Sequence, residues 1–93
     1  MGLTFEWDSE KDEANLKKHG VSFSEAATVF ADPLTITISD PEHSVGEERY
    51  VTVGLSYRQR VLVVAHRDDD DRIRIITVRL ATRRERKDYE EGS

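Results

Sequence analysis

Ninety-three residues, 35% charged and 37% hydrophobic, with three histidines and no cysteine, hold one small core and exclude a disulfide framework or a thiolate metal site. The net charge of −5 disfavours general attraction to nucleic-acid phosphate. The longest apolar run, Val61 to Ala65, is far short of the ~20 residues that cross a bilayer, and no basic-then-apolar leader opens the chain, so the expectation is one cytoplasmic domain over residues 1–93 with no membrane partner.

Leu3, Phe5 and Trp7 alternate with Thr4 and Glu6, predicting a short half-buried strand. Asp8 then caps an acidic first turn, Ser9 to Glu13, and Lys17-Lys18-His19 before Gly20 predicts a helix end at residue 19 or 20. Ser22-Phe23-Ser24-Glu25 has capping-box spacing, with Ser22 accepting from the Glu25 N–H and the Glu25 carboxylate reaching back. Phe23, Ala26, Ala27, Val29 and Phe30 give that second helix an apolar face, and Asp32-Pro33 stops it.

From Leu34 the period falls to two, with Leu34, Ile36 and Ile38 set against Thr35, Thr37 and Ser39. A polar loop over Asp40 to Gly46 follows, then a strand over Arg49 to Leu55 and a turn over Ser56 to Gln59. Arg60 to Arg67 has the continuous apolar centre of an interior strand, Asp68 to Asp71 reads as a solvated turn, and Arg72 to Leu80 as the last strand. Thr82-Arg83-Arg84-Glu85 is a second capping box, starting a helix that runs to about Glu90. The order implies an α+β domain in which two N-terminal helices and one C-terminal helix pack on one face of an antiparallel sheet.

The charge is unevenly spread. Residues 1–71 carry a net −8, residues 72–87 a net +6 and residues 88–93 a net −3, so half of all lysine and arginine lies between Arg72 and Lys87. If Arg67 faces Arg72 across a four-aspartate turn, the register pairs His66 with Ile73, Val64 with Ile75, Leu62 with Thr77 and Arg60 with Arg79. Arg60 and Arg79 then sit about 20 Å from His66, at the end shared with Tyr57, Arg58 and the start of the last helix. On that helix Arg83, Arg86 and Lys87 share a face and Tyr89 lies three residues beyond Arg86.

Converging arginines beside a helix N-terminus suit a phosphate. RNA cleavage needs little more: alignment of a 2′-hydroxyl, stabilisation of the pentavalent dianion and help with proton transfer, none of which requires a metal or other cofactor. Arginine keeps its proton at neutral pH, so a tyrosine, histidine or carboxylate has to assist. The catalytic candidates are Arg79, Arg83, Arg60, Tyr89 and His66, with Arg58, Arg74, Arg84, Arg86 and Lys87 as further RNA-binding cations.

Taken in order, Phe5-Glu6-Trp7-Asp8, Asn15-Leu16-Lys17-Lys18-His19-Gly20-Val21 with Phe23 and Glu25-Ala26, Phe30 with Asp32-Pro33, Gly46-Glu47-Glu48-Arg49, Ile73-Arg74-Ile75-Ile76 with Arg79, and Arg83 with Glu85-Arg86 and Tyr89 resemble the BrnT toxin family. The match spans about residues 5 to 90. The resemblance implies a RelE-like fold, RNA cleavage that arrests translation, neutralisation by a BrnA-like ribbon-helix-helix antitoxin, and operator DNA bound only through the toxin–antitoxin complex. By position it implies that Arg79, then Arg60 and Arg83, act on the phosphate, with Tyr89 stacking on a base or moving a proton. The residues around Arg79, Thr77-Val78 and Leu80, depart from the small or basic residues more usual there.

Other readings stand beside these. Arg79, Arg83 and Arg86 could pair with Glu85, Asp88, Glu90 and Glu91 on a solvated helix, and the whole could be a non-catalytic module docking its basic segment on an acidic partner. His19 reads as a dipole-stabilised helix end, Trp7 and Phe5 as core, and His43 beside Asp40, Glu42 and Glu47 as a surface residue rather than a metal ligand.

Overall fold

The computed structural model describes residues 2–40 and 48–92, so His43 and most of the polar loop lie outside the described residues. In chain order the elements are β1 (Thr4–Glu6), α1 (Ser9–His19), α2 (Phe23–Thr28), a 3-10 turn (Val29–Ala31), β2 (Ile36–Ser39), β3 (Tyr50–Leu55), β4 (Val61–Asp69), β5 (Arg72–Leu80) and α3 (Arg83–Glu90). The caps follow the side chains. Asp8 accepts from the N–H groups of Glu10 and Lys11, Gly20 takes the left-handed conformation with φ 72°, and Thr82 and Glu85 complete a reciprocal capping box. At α2 only half of the expected box forms: Ser22 accepts from the Glu25 N–H, but the Glu25 carboxylate turns to Ser56 and Arg60. Among the described residues no helix is long and apolar enough to cross a membrane.

The sheet order is β1-β5-β4-β3-β2, and β1 runs parallel to β5, so the sheet is mixed rather than antiparallel. After β1 the chain crosses one face through α1 and α2 and enters the sheet at its far edge as β2. The first strand is thereby left beside the last, pointing the same way. The core lies under those two helices, where Val21, Phe23, Ala26 and Val29 meet Leu62, Val64, Ile73, Ile75 and Val78. Each valine, leucine, isoleucine or phenylalanine side chain among them contributes about 1.5–3 kcal/mol on burial. Trp7 meets Phe23 edge-on at 6.2 Å between ring centroids, and Phe5 packs on Phe30, as their core reading requires.

The β4–β5 hairpin departs from the expected register. Pairing continues to Asp69↔Arg72, leaving Asp70 and Asp71 as a two-residue turn with Asp70 at φ 56°, a conformation aspartate tolerates. Arg67 therefore faces Arg74 and His66 faces Ile75. A bulge between Ala65 and His66 then sets Ala65 opposite Thr77, Val64 opposite Val78 and Val63 opposite Arg79. Burial explains it: the extra residue lets Val78 join Ile73 and Ile75 in the core, which unbroken alternation would have given to Thr77. Thr77 and Arg79 turn to the other face. Arg60 precedes β4 and does not pair with Arg79.

The third helix does not join the other two. Two residues link it to β5, and its Glu85, Asp88 and Tyr89 border a groove on the opposite face, beside Val63, Ala65 and Arg79. The helices are thus divided between the two faces.

Candidate active site

The groove encloses about 460 Å³. Ile36 and Ile38 of β2, Val51 and Val53 of β3 and Val63 and Ala65 of β4 make an apolar floor, the natural product of strands whose alternate residues face away from the core. Arg79 and α3 make the polar wall.

Arg79 donates from Nη1 to Glu85 Oε1 at 2.8 Å and from Nη2 to Glu85 Oε2 at 3.0 Å, a bidentate pair. Glu85 Oε1 also accepts the Thr82 N–H at 2.8 Å, so one carboxylate caps α3 and holds the arginine. The Arg79 guanidinium, against opposing burial and aided by the Thr82 N–H, holds the Glu85 carboxyl down at about 2. The pair is open to solvent, with Arg79 43% and Glu85 34% exposed.

Tyr89 donates its hydroxyl to Asp32 Oδ2, which also accepts the Leu55 N–H, while Asp32 Oδ1 accepts from Leu34. This ties α3 to the end of β3. Burial, then the bond to Asp32 and its charge, push the Tyr89 phenol up to about 12. Burial alone would raise the Asp32 carboxyl, but these three donors outweigh it and leave the group lowered.

Beyond the wall, Arg83, Arg84 and Lys87 border a shallow depression with Asp88 and Glu91, and Arg86 is exposed away from it. Among the described residues these four cations have no hydrogen-bond or ion-pair partner.

The remaining candidates lie elsewhere. Arg60 is on the helix face, where Nε donates to Glu25 Oε2 at 2.9 Å, and Nη2 to Glu25 Oε1 and to the Gly20 carbonyl at 3.2 Å. Arg58 is exposed at the Ser56–Gln59 turn, 3.9 Å from Glu25 Oε1. Arg74 lies at the far end of the sheet, 3.6 Å from Glu6. His66 is 1% exposed in the core face, between Phe30 and a stacked Tyr50. Its ring joins a chain across three strands. The Asp68 carboxylate only accepts, so Nδ1–H donates to it at 2.7 Å; Nε2 then accepts from Thr52 at 2.7 Å, whose Oγ1 accepts from Thr37 at 2.8 Å.

The structure therefore brings Arg79 and Tyr89 into one groove, sets Arg83 at the adjoining helix start, and separates Arg60, His66 and Arg74 from them. Sequence reasoning did not single out Glu85 and Asp88 as groove residues, nor Asp32, which anchors Tyr89 from outside the groove. The signal for Glu85 was present: a capping glutamate six residues after an arginine, close enough to bond both.

A family model described as the ribonuclease toxin BrnT of type II toxin–antitoxin systems matches residues 7–85. The crystal structure of the Brucella abortus ribonuclease toxin BrnT is similar in fold, with a TM-score of 0.63 and 18% sequence identity over 87% of this chain and 99% of that one. No curated protein sequence matches. With most of its length matched by that model, the chain belongs to the BrnT family of type II toxin–antitoxin ribonuclease toxins.

Proposed function

We propose that the chain is a metal-independent endoribonuclease that cleaves RNA at the groove, arrests translation by doing so, and is silenced by a BrnA-like ribbon-helix-helix antitoxin. The observation that carries the reading is a bidentate arginine fork, Arg79, set at the rim of an apolar groove and held by a solvent-accessible carboxylate, with one further bond from Nη1 to the Leu80 carbonyl. A phosphodiester offers the same two oxygens as that carboxylate and takes its place on the fork. The 2′-oxygen then attacks phosphorus, the P–O5′ bond breaks, and Arg79 stabilises the charge on the pentavalent dianion. Glu85, released from the guanidinium that lowered it most, regains basicity and accepts the 2′-hydroxyl proton, while the departing 5′-oxygen takes one from solvent. The products are a 2′,3′-cyclic phosphate and a free 5′-hydroxyl.

Tyr89, raised to about 12 and already donating to Asp32, is no base; its ring supplies a stacking surface beside the apolar floor. Arg83, Arg84 and Lys87 bind flanking phosphates, with Arg86 and Arg58 further out. Arg60 and His66 serve the scaffold. The antitoxin covers the same cationic wall, and operator DNA is reached only through it.

Purified protein free of antitoxin, given an RNA panel in EDTA, tests the reading. Arg79→Ala lowers the cleavage rate at least ~100-fold, the scale of losing one oxyanion donor, with the melting temperature almost unchanged. Unaltered cleavage overturns the assignment. The pairing of Arg79 with Glu85 favours one alternative, a docking module without catalysis; absence of products from the parent protein across the panel, with antitoxin binding intact, selects it.

A further inference from the structure

Asn15 is the one buried residue of α1, 7% exposed on a helix otherwise in contact with solvent. Its carboxamide is fully engaged. Nδ2 donates to the Val21 carbonyl at 3.0 Å and to the Val78 carbonyl at 2.8 Å, and Oδ1 accepts from the Val78 N–H at 3.2 Å and the Thr77 hydroxyl at 3.0 Å. The main-chain groups of Val78 need such a partner, because β1 pairs with β5 only over Arg72 to Arg74 and leaves the rest of that edge unpaired. An asparagine side chain carries the same donor and acceptor as a peptide unit and stands in for the missing strand.

The place where it acts decides which way Arg79 points. The bulge falls at Ile76, and Thr77 and Val78 are the two residues immediately after it. With the bulge, Val78 faces the core and Arg79 the groove; without it, alternation from Ile73 and Ile75 would turn Thr77 and Arg79 toward the helices. We infer that Asn15 is a positioning residue which, from the opposite face of the sheet, locks the β5 bulge and so aims Arg79 into the groove. The inference rests on the proposed role of Arg79 for its catalytic consequence and on backbone geometry alone for the placement.

The chain has no cysteine, so single thiols report the two faces cleanly. Modification of Arg79→Cys and of Val78→Cys by a water-soluble thiol reagent is followed with Asn15 intact and with Asn15→Ala. Losing the clamp slows reaction at position 79 and speeds it at 78, because the strand now samples the unbulged register. Simple loosening speeds both, and that result, or no change at either, overturns the proposal. If Asn15→Ala fails to fold, Thr77→Val, which removes one bond to Oδ1 and keeps the side-chain shape, is expected to give the same reciprocal change in weaker form; equal or absent changes overturn it there too. Cleavage kinetics supply the catalytic arm. Asn15→Ala lowers kcat at least ~10-fold with KM changed less, and adds nothing when Arg79 is already alanine; an equal further loss in the Arg79→Ala background refutes action through Arg79. If Arg79→Ala itself cleaves normally while the thiols exchange exposure, the ribonuclease reading has failed and the placement by Asn15 stands.

Discussion

Two arginine–glutamate pairs, alike in chemistry, lie on opposite faces of the sheet. Glu25 is 3% exposed and Arg60 28%, and the pair is tied further to Ser56 and to the Gly20 carbonyl. Arg79 and Glu85 are 43% and 34% exposed, and their extra bonds go to the Leu80 carbonyl and the Thr82 N–H of the adjoining chain. The first pair joins segments 35 residues apart, the second segments six apart. A buried carboxylate bound to a distant arginine cannot exchange partners without opening the fold, whereas an exposed pair across a short link can. The same two side chains make a structural bolt in one place and a displaceable contact in the other.

Breaking the bolt gives the largest effect. Arg60→Ala leaves the Glu25 carboxylate in the interior with only the Ser56 hydroxyl and the more distant, exposed Arg58 as side-chain partners, a loss of about 3 kcal/mol, the low end for such cuts because water reaches Arg60 and Arg58 stays near. At ~4–8 °C per kcal/mol for a domain of this size, thermal denaturation shows a fall on the order of 12–24 °C. Replacing both partners, Glu25→Leu with Arg60→Met, recovers most of it, since the penalty comes from the orphaned charge. A fall as small as that expected for Arg79→Ala would erase the distinction between the pairs.

Freeing the exchangeable pair gives a smaller and opposite kind of effect. Glu85→Gln keeps a residue able to cap α3 but removes the anion that competes with phosphate. Stability changes by about 0–1 kcal/mol, as for other exposed pairs. Affinity for an RNA made uncleavable by 2′-deoxy substitution rises several-fold in fluorescence anisotropy, while cleavage of ordinary RNA falls. An unchanged Kd would place the phosphate somewhere other than Arg79.

What the sequence showed and hid follows the range of the interactions. The caps at Asp8, Gly20 and Thr82 and the bounds of β5 were legible because neighbouring residues determine them. The parallel placement of β1 and the division of the helices between two faces depend on contacts far along the chain. Arg60 shows the difficulty: an arginine at a strand start looks the same whether it faces a phosphate or Glu25, 35 residues earlier. The bulge had a local trace, since Ile73, Ile75 and Val78 break strict alternation, but its cause, Asn15, is 63 residues away from Val78. That Arg79 and Tyr89 border one groove follows from their both lying near the same short β5–α3 link.

The smallest expected effect separates the faces by pH. His66 is driven below its ordinary value by burial, against the raising influence of Asp68, so it stays neutral in the fold while the unfolded chain binds a proton near pH ~6.5. A depressed folded value means that the contribution is complete above ~6.5 and is lost as the pH falls toward the folded value. Glu85 is depressed from 4.5 to about 2, so its contribution is complete above 4.5 and is lost toward 2, attenuated by solvent because the group is a third exposed. Urea midpoints therefore decline in two stages. The first, as the pH falls below about 6.5, vanishes in His66→Gln and persists in Glu85→Gln. The second, below 4.5, is flattened but not abolished in Glu85→Gln, because Glu25 and Asp32 are also lowered in the fold and release stability in the same range. A single stage that both substitutions alter alike would mean that the two faces do not titrate as separate environments.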